Sequence, residues 1–432
     1  MSPNSGRQAL QRAQFNIGRS PEDLPIIAEQ AKLVELLLYC AASAVKRTLM
    51  RILVHEFFSG GGLAGRDLPV SLAREGSAML VALLSDLAVI EGHQLVTTVD
   101  PRVMLAVPPG VEAVTLSPAR NTTATYLDHL IASADAVWLI APETGRLLER
   151  LAARVEKKGR ILLGSGAAAI RRASDKAGLP RILARLGIAH PETRLLTGAG
   201  PLGIAARELG YPIIVKPARG AGSEGVWLAR NARELRHAVA MARQAGGRER
   251  LLLQRYMRGV AASVSLLADG RHAVALSANR QAVRVSRQLS YRGGTTPLDH
   301  PMAHLGVEAA LRTCEAFPGL RGYIGVDVVL TKSEAVVIEV NPRLTTAYLG
   351  VREALRKPAS SAGNVAAMAL AACAGTLPTP PPIRQSVRFT ATGRIVPGRA
   401  TGSPRRASAV LRAQGRPSDT SRDGGGRGLP GS

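Results

Sequence analysis

Apolar and polar residues follow a regular rhythm through the first half of the chain. Between residues 50 and 164, short apolar runs are separated by stretches of helical periodicity. The apolar runs lie at residues 52–55, 94–99, 111–116, 136–140 and 160–164. The longest helical stretch, at residues 67–91, carries Leu80, Leu83 and Leu87 at helical spacing. Alternating strands and helices predict a parallel sheet covered by helices.

The rhythm changes in the second half. A helix from residue 173 leads to a strand at residues 212–216, a glycine-rich turn and a second strand at residues 225–229. Beyond residue 249, adjacent β-branched strands predict an antiparallel sheet. We expect these strands at residues 251–256, 263–268, 273–277, 325–330 and 335–340. The fold class is therefore α/β, with α+β lobes after the parallel sheet.

Both ends of the chain lack this patterning. Residues 1–49 show no clear strand or helix rhythm, and we interpret them as a misassigned or disordered extension before Met50. A signal peptide is the rival interpretation, but acidic residues stand where a basic leader segment is required. Residues 379–432 are rich in Arg, Gly, Pro and Ser, which predicts a disordered basic tail.

Composition narrows the classes of function. The formal charge is +24, but few aromatic residues accompany the arginines, so a specific nucleic-acid partner is not indicated. Three cysteines fit neither a disulfide framework nor a zinc site, which favours the reducing cytoplasm. No apolar run approaches the 18 or so residues of a membrane span, so we expect no membrane association.

A glycine-rich turn follows a buried lysine at residues 212–225, which read PIIVKPARGAGSEG. Glycines let backbone N–H groups approach phosphate oxygens, and Lys216 adds a positive charge. A glycine-rich turn taken alone could be only a turn and does not indicate a phosphate. A lysine among apolar strand residues, however, needs an anionic partner. Lys176, at the start of a predicted helix, is a second lysine that could reach the same phosphates.

Three oxygen-bearing side chains are predicted to share one sheet surface. Glu339 and Asn341 are two residues apart on one strand, so they point the same way, while Ile338 and Val340 point into the core. If residues 325–330 pair with this strand, Asp327 lies beside them. Such a set suits Mg²⁺. The alternative is an internal salt bridge of the acids with Arg343 or Lys216.

Together these motifs resemble the ATP-grasp ligases. The resemblance rests on four features: Lys176 on its predicted helix, Val-Lys-Pro at residues 215–217 followed by the glycine-rich turn, the segment at residues 253–259, and Glu-x-Asn-Pro-Arg at residues 339–343. It implies an N-terminal pre-ATP-grasp domain followed by two lobes that clamp ATP. The implied domains are residues 50–170, a small lobe at residues 171–248 and a large lobe at residues 249–378.

The resemblance also implies roles for individual residues. ATP would contact Lys176, Lys216, Gly220, Gly222, Ser223 and the hinge residues Gln254, Arg255 and Tyr256. Asp327, Glu339 and Asn341 would hold Mg²⁺, for which Mn²⁺ could substitute. Arg343 and Lys216 would be the catalytic residues: Lys216 would hold phosphates, and Arg343 would face the transferred phosphoryl group or the substrate carboxylate.

Secondary motifs are similar to the branch that joins glutamate to tyramine or tyrosine in methanofuran-type biosynthesis. They include residues 260–265 and 341–350. The sequence thus predicts a carboxylate–amine ligase with small-molecule substrates, and an oligomer is compatible with it. Arg280 and Arg292 are candidates for holding the acid substrate, with solvated loop arginines as the alternative. A ligase for other amino acids, or a nucleic-acid-binding protein, remains open.

Overall fold

The computed structural model describes residues 49–117, 123–196, 202–220, 225–246, 250–356 and 363–400. Residues 1–48 of the extension predicted at residues 1–49 lie outside these ranges. So do Gly222 and Ser223 of the predicted phosphate-binding turn, and residues 401–432 of the predicted tail.

A five-stranded parallel sheet forms the N-terminal part, as the alternating pattern predicts. Its strands run in the order β3-β2-β1-β4-β5. They are β1 (Met50–Glu56), β2 (His93–Val99), β3 (Glu112–Thr115), β4 (Ala136–Ile140) and β5 (Ile161–Leu162). Helices α1 (Val70–Leu87), α2 (Thr123–Ser133) and α3 (Leu147–Lys157) connect them. Helix α1 begins after Pro69 and ends at Leu87, so it is shorter at both ends than the helix predicted at residues 67–91.

A four-stranded sheet follows, after the short helices α4 (Ala167–Ala173) and α5 (Leu179–Arg185). Its order is β6-β9-β7-β8, with all neighbours antiparallel. The strands are β6 (Thr193–Leu196), β7 (Ile213–Pro217), β8 (Trp227–Ala229) and β9 (Leu251–Arg255). Helices α6 (Leu202–Leu209) and α7 (Ala232–Gly246) complete this unit.

The largest sheet has seven antiparallel strands in the order β14-β13-β10-β11-β12-β15-β16. They are β10 (Val260–Asp269), β11 (Ala273–Val285), β12 (Leu289–Thr296), β13 (Arg321–Leu330), β14 (Ala335–Asn341), β15 (Gln385–Thr390) and β16 (Ile395–Ala400). The helices that accompany it are α8 (Ala303–Glu315), α9 (Ala347–Leu355) and α10 (Val365–Cys373). Strand β11 is much longer than predicted, because polar side chains interrupt its apolar alternation.

The two faces of this sheet differ in what covers them. One face, here called the α8 face, packs Ala262, Val264 and Val326 against α8. The other, here called the site face, carries Asp327 and Glu339. Farther along its strands it shares one core with α9, α10 and helix α1 of the N-terminal part.

Strands β15 and β16 correct the prediction that disorder begins at residue 379. Val387 and Phe389 are buried, whereas Arg388 between them is exposed. That alternation is the mark of a strand with one covered face. The basic, proline-rich composition around it concealed the pattern.

The β11–β12 hairpin connects the two antiparallel sheets. Its tip reaches β8, where the Leu228 amide donates to the Arg287 carbonyl at 2.8 Å and the Leu289 amide to the Val226 carbonyl at 3.0 Å. Among the described residues, no helix is long and apolar enough to cross a membrane.

We predict that Phe389→Ala lowers the free energy of unfolding by about 3 to 4 kcal/mol, because it empties a buried aromatic position. The exposed neighbour provides the control: Arg388→Ala should stay within about 0.5 kcal/mol of the parent protein. Urea unfolding of the full chain measures both. Equal stability of Phe389→Ala and the parent would show that β15 adds nothing to the fold.

Candidate functional site

Two carboxylates face each other across neighbouring strands. Asp327 on β13 is the cross-strand partner of Glu339 on β14, and Gly325 is the partner of Asn341. The predicted pairing of these strands is therefore confirmed. A β-bulge interrupts the register directly after this pair, and Ile338 is the extra residue. Ile338 is only partly buried, so its predicted place in the core is wrong.

Two amides hold the Asp327 carboxylate. Asn341 donates from Nδ2 to Oδ2 of Asp327 at 3.3 Å, and Gln281 donates from Nε2 to Oδ1 at 2.9 Å. Gln281 was not among the predicted site residues, because the predicted strand ended at residue 277. The extension of β11 places it on the site face.

Lys176 pairs with the other carboxylate. Its Nζ lies 2.6 Å from Oε2 of Glu339 and donates to the carbonyl oxygen of Gly220 at 2.8 Å. Lys176 lies in the turn between α4 and α5 rather than on a helix. One ammonium group thus joins the acidic strand pair to the glycine-rich turn. The expected alternative partners of the acids, Arg343 or Lys216, are not the ion-pair partner of Glu339.

Lys216 is buried on β7, as its apolar surroundings predict. Burial lowers the pKa of its ammonium to about 8, and the charge of Lys176 acts in the same direction. Glu339 and Asp327 partly oppose this shift. Lys216 therefore keeps its proton at pH 7 by a margin of only about one pH unit, and a nearby anion would widen that margin.

The carboxylates respond to the same charges in opposite ways. Burial raises the pKa of Asp327, and the neighbouring Glu339 raises it further. Burial also opposes ionisation of Glu339, but Lys176 and then Lys216 bring its pKa below the usual range. In a buried site, ionisation of two adjacent carboxylates is unfavourable in free energy unless additional positive charge is present.

This oxygen set fits a divalent cation. Asp327, Glu339 and Asn341 offer carboxylate and amide oxygens on one surface, the hard donors that Mg²⁺ prefers. Within the described ranges, no group of three or more His, Cys, Asp or Glu residues is placed to hold a metal. The donor set is thus two carboxylates and an amide, and a cation would relieve the repulsion that raises the pKa of Asp327.

Arg343 makes an ion pair that the sequence did not indicate. Its Nε and Nη2 donate to the two carboxylate oxygens of Glu143 at 3.0 and 3.2 Å. Both side chains are almost fully buried. Glu143 follows β4 of the parallel sheet, so this pair fixes the end of β14 against the N-terminal part. No spacing pattern connects residues 200 positions apart, and a buried acid after a strand was the only signal.

The predicted hinge residues lie at the end of β9 in the four-stranded sheet and directly after it. Gln254 is buried on β9 and donates from Nε2 to Oγ1 of Thr193 at 2.9 Å. Arg255 is exposed and pairs with Glu192 at 2.8 Å. The Tyr256 amide donates to the carbonyl of Pro212. Tyr256 begins the segment that joins β9 to β10 and thus connects the two antiparallel sheets.

The structure does not bring Arg280 and Arg292 to the carboxylate pair. Both lie in strands, not in a loop between strands. Arg280 is the cross-strand partner of Ala262, which lies on the α8 face. The side chains of Arg280 and Asp327 are therefore on opposite faces of the sheet. Arg292 is exposed beside an irregularity in β12. Neither side chain is placed to act with the cluster around Asp327.

A buried polar row on the site face was also missed. Asn279 accepts from Oγ1 of Thr296 at 2.7 Å and donates to Oγ of Ser265 at 3.0 Å. Tyr323 donates to the same Ser265 hydroxyl at 2.7 Å. Small polar residues give no apolar alternation, and this row is the reason that β11 and β12 were not recognised in full.

Comparisons with known proteins agree with this architecture. Residues 93–170 match the pre ATP-grasp 3 domain family, and residues 173–347 match the ATP-grasp domain family. The chain therefore contains a pre-ATP-grasp domain followed by an ATP-grasp domain, and its fold is the ATP-grasp fold. The predicted fold class is confirmed.

Solved structures show the same fold. An ATP-grasp superfamily protein from Archaeoglobus fulgidus is 25% identical with a TM-score of 0.55, over 78% of this chain and 92% of that one. Biotin carboxylase from Campylobacter jejuni, in complex with a nucleotide, is 17% identical with a TM-score of 0.59, over 79% and 75%. The biotin carboxylase domain of 2-oxoglutarate carboxylase from Hydrogenobacter thermophilus, in complex with MgADP, is 17% identical with a TM-score of 0.58, over 78% and 73%.

We predict that Lys216→Met stabilises the nucleotide-free protein at pH 7 by roughly 3 kcal/mol, since it removes a buried charge. The pKa of Lys216 is lower in the folded than in the unfolded chain. The unfolded chain therefore binds more protons between about pH 8 and 10.5, and the parent protein gains stability as pH rises through that range.

The difference between Lys216→Met and the parent should consequently shrink between pH 8 and 10.5. Chemical denaturation at several pH values measures it, and Lys332→Met provides the control because Lys332 is exposed. A difference that does not vary with pH would mean that Lys216 is not buried as a charge.

Proposed function

We propose that the protein is an ATP-dependent carboxylate–amine ligase. ATP phosphorylates a substrate carboxylate to an acylphosphate and leaves ADP. An amine then attacks the acyl carbon and loses a proton, phosphate departs, and an amide forms. Bound Mg²⁺ would supply charge neutralisation at the ATP phosphates.

One observation carries the proposal: Lys176 joins Glu339, opposite Asp327, to the glycine-rich turn that follows Lys216. This contact supports the proposal, because the proposed phosphate-binding groups and the proposed cation-binding groups lie within the reach of one side chain. A purely structural ion pair would not require a second carboxylate whose ionisation the first one disfavours.

The residues of this chain would act by position and charge rather than as nucleophiles. Lys176 and Lys216 would stabilise the phosphate oxygens, and the charge on Lys216 would become favourable once an anion lies beside it. Asp327, Glu339 and Asn341 would hold Mg²⁺, or Mn²⁺ in its place. Arg343 would take part in the reaction from the position in which its ion pair with Glu143 holds it.

The solved relatives that contain ATP-type nucleotides or MgADP support ATP and Mg²⁺ as ligands. The joining of glutamate to tyramine or tyrosine is the finer proposal, and it rests on the secondary motifs of the sequence. A ligase for other amino acids or small carboxylates uses the same cluster. The cysteine content supports a cytoplasmic location, and an oligomer is compatible with the fold.

A phosphate-release screen tests the substrate. The full chain is incubated with Mg-ATP, glutamate and a panel of amines that includes tyramine and tyrosine, and each amine is also tested without glutamate. We expect phosphate release that requires both substrates. Release with another acid would keep the ligase and exclude glutamate, and absence of release with every acid would count against the ligase.

Glu339→Gln tests the metal site. Without the Glu339 charge, Asp327 ionises more readily and still balances the lysines, so the variant should remain folded with a melting temperature within a few degrees of the parent. It should lose the stabilisation by Mg-ATP and release no phosphate. Thermal melting with and without Mg-ATP measures this.

Glu334→Gln, an exposed acid in the same hairpin, is the matched control. If the Lys176–Glu339 pair is only structural, Glu339→Gln will melt much earlier with or without nucleotide. A stable Glu339→Gln variant with normal Mg-ATP stabilisation and phosphate release would contradict both accounts.

A further inference from the structure

A small open cleft with arginines on its walls lies beside the candidate site. Glu143, Arg146, Glu149, Ile170, Arg171, Ser174 and Arg219 line it. It borders the cluster already described at three points. Arg219 precedes Gly220, Ser174 lies two residues before Lys176, and Glu143 is the partner of Arg343.

The charges of the cleft are not balanced by its own acids. Arg146 forms two hydrogen bonds with Glu149, and Arg343 occupies both oxygens of Glu143. Within the described part of the chain, neither Arg171 nor Arg219 makes a side-chain hydrogen bond or an ion pair. Their charges nevertheless act at this cleft, because both lower the pKa of Glu149 after the larger effect of Arg146.

A buried hydroxyl on the same wall has no partner among the described residues. Ser174 is 8% exposed, and its Oγ makes no hydrogen bond to any part of the chain that the structure describes. An unsatisfied buried hydroxyl is costly, so such groups in native proteins commonly await water or a ligand. Arginine guanidinium groups and a hydroxyl donor form a suitable combination for an anionic group with several oxygens.

We infer that this cleft binds a terminal anionic group, a carboxylate or phosphate, of the substrate that is not the nucleotide. Arg171 and Arg219 supply the charge, and Ser174 donates a hydrogen bond. This inference rests on the proposed function, since it assigns an acidic substrate to the ligase. The cleft is small, so it receives one end of the substrate, and the remainder extends toward Lys176 and Arg343.

Calorimetry with the full chain tests the cleft without requiring turnover. Inorganic phosphate and L-glutamate are titrated separately, at constant ionic strength, into protein saturated with Mg-AMP-PNP. We expect the parent protein to bind at least one of these probes. The double variant Arg171→Gln/Arg219→Gln should bind it at least tenfold more weakly, and Ser174→Ala severalfold more weakly. Arg185→Gln, an exposed arginine on α5, should bind as the parent does.

Titration of Mg-ATP distinguishes the two sources of anionic oxygen. The variants should keep an Mg-ATP affinity within about twofold of the parent. A tenfold loss of Mg-ATP affinity would assign the cleft to the ATP phosphates and overturn the inference. Unchanged binding of both probes by the double variant would also overturn it.

Failure of the proposed function has a different result. If the parent protein does not bind Mg-AMP-PNP, the nucleotide assignment fails. The same phosphate titration on the nucleotide-free chain, compared between the parent and the double variant, then decides whether the cleft is an anion site.

Discussion

The site depends on one electrostatic constraint, the repulsion between two carboxylates. They face each other on a sheet surface that is shielded from water. Asp327 and Glu339 cannot both carry a charge there unless positive groups surround them. The chain supplies Lys176 and Lys216 from two separate segments, and amides hold the orientation of Asp327. The arrangement is electrostatically strained as it stands, and the proposed phosphates and divalent ion would relieve that strain together.

The groups that meet this constraint come from distant parts of the chain. Lys216 lies on the four-stranded sheet, the acids lie on the seven-stranded sheet, and Lys176 lies in the turn after α4. The Glu143–Arg343 pair then fixes the parallel sheet against the end of the acidic strand. The site therefore exists only when all three sheets have formed and packed, so its assembly reports the completion of folding.

Local patterns predicted the elements with strong apolar rhythm and the side chains they carry. Lys216, Asp327, Glu339 and Asn341 were recognised because each interrupts an otherwise apolar strand. Local patterns could not reveal Glu143, whose role depends on a contact across 200 residues. They also missed strand residues that are buried but polar, such as Asn279 on β11. Strand β15 was missed because it lies in a segment of basic composition. In each case, the sequence does not show which part of the chain packs against the residue or strand.

The contact between the β11–β12 hairpin and β8 has a mechanical consequence. Among the described residues, the four-stranded sheet is joined to the seven-stranded sheet by the chain between β9 and β10, by Lys176 between Gly220 and Glu339 and, at the hairpin tip, by two backbone hydrogen bonds. Net contributions of about 0.5 to 1.5 kcal/mol per hydrogen bond make the attachment at the hairpin tip comparable to a few times thermal energy. A contact of this strength can break and re-form without loss of either sheet, so the two sheets can separate at the hairpin tip while the chain between β9 and β10 still connects them.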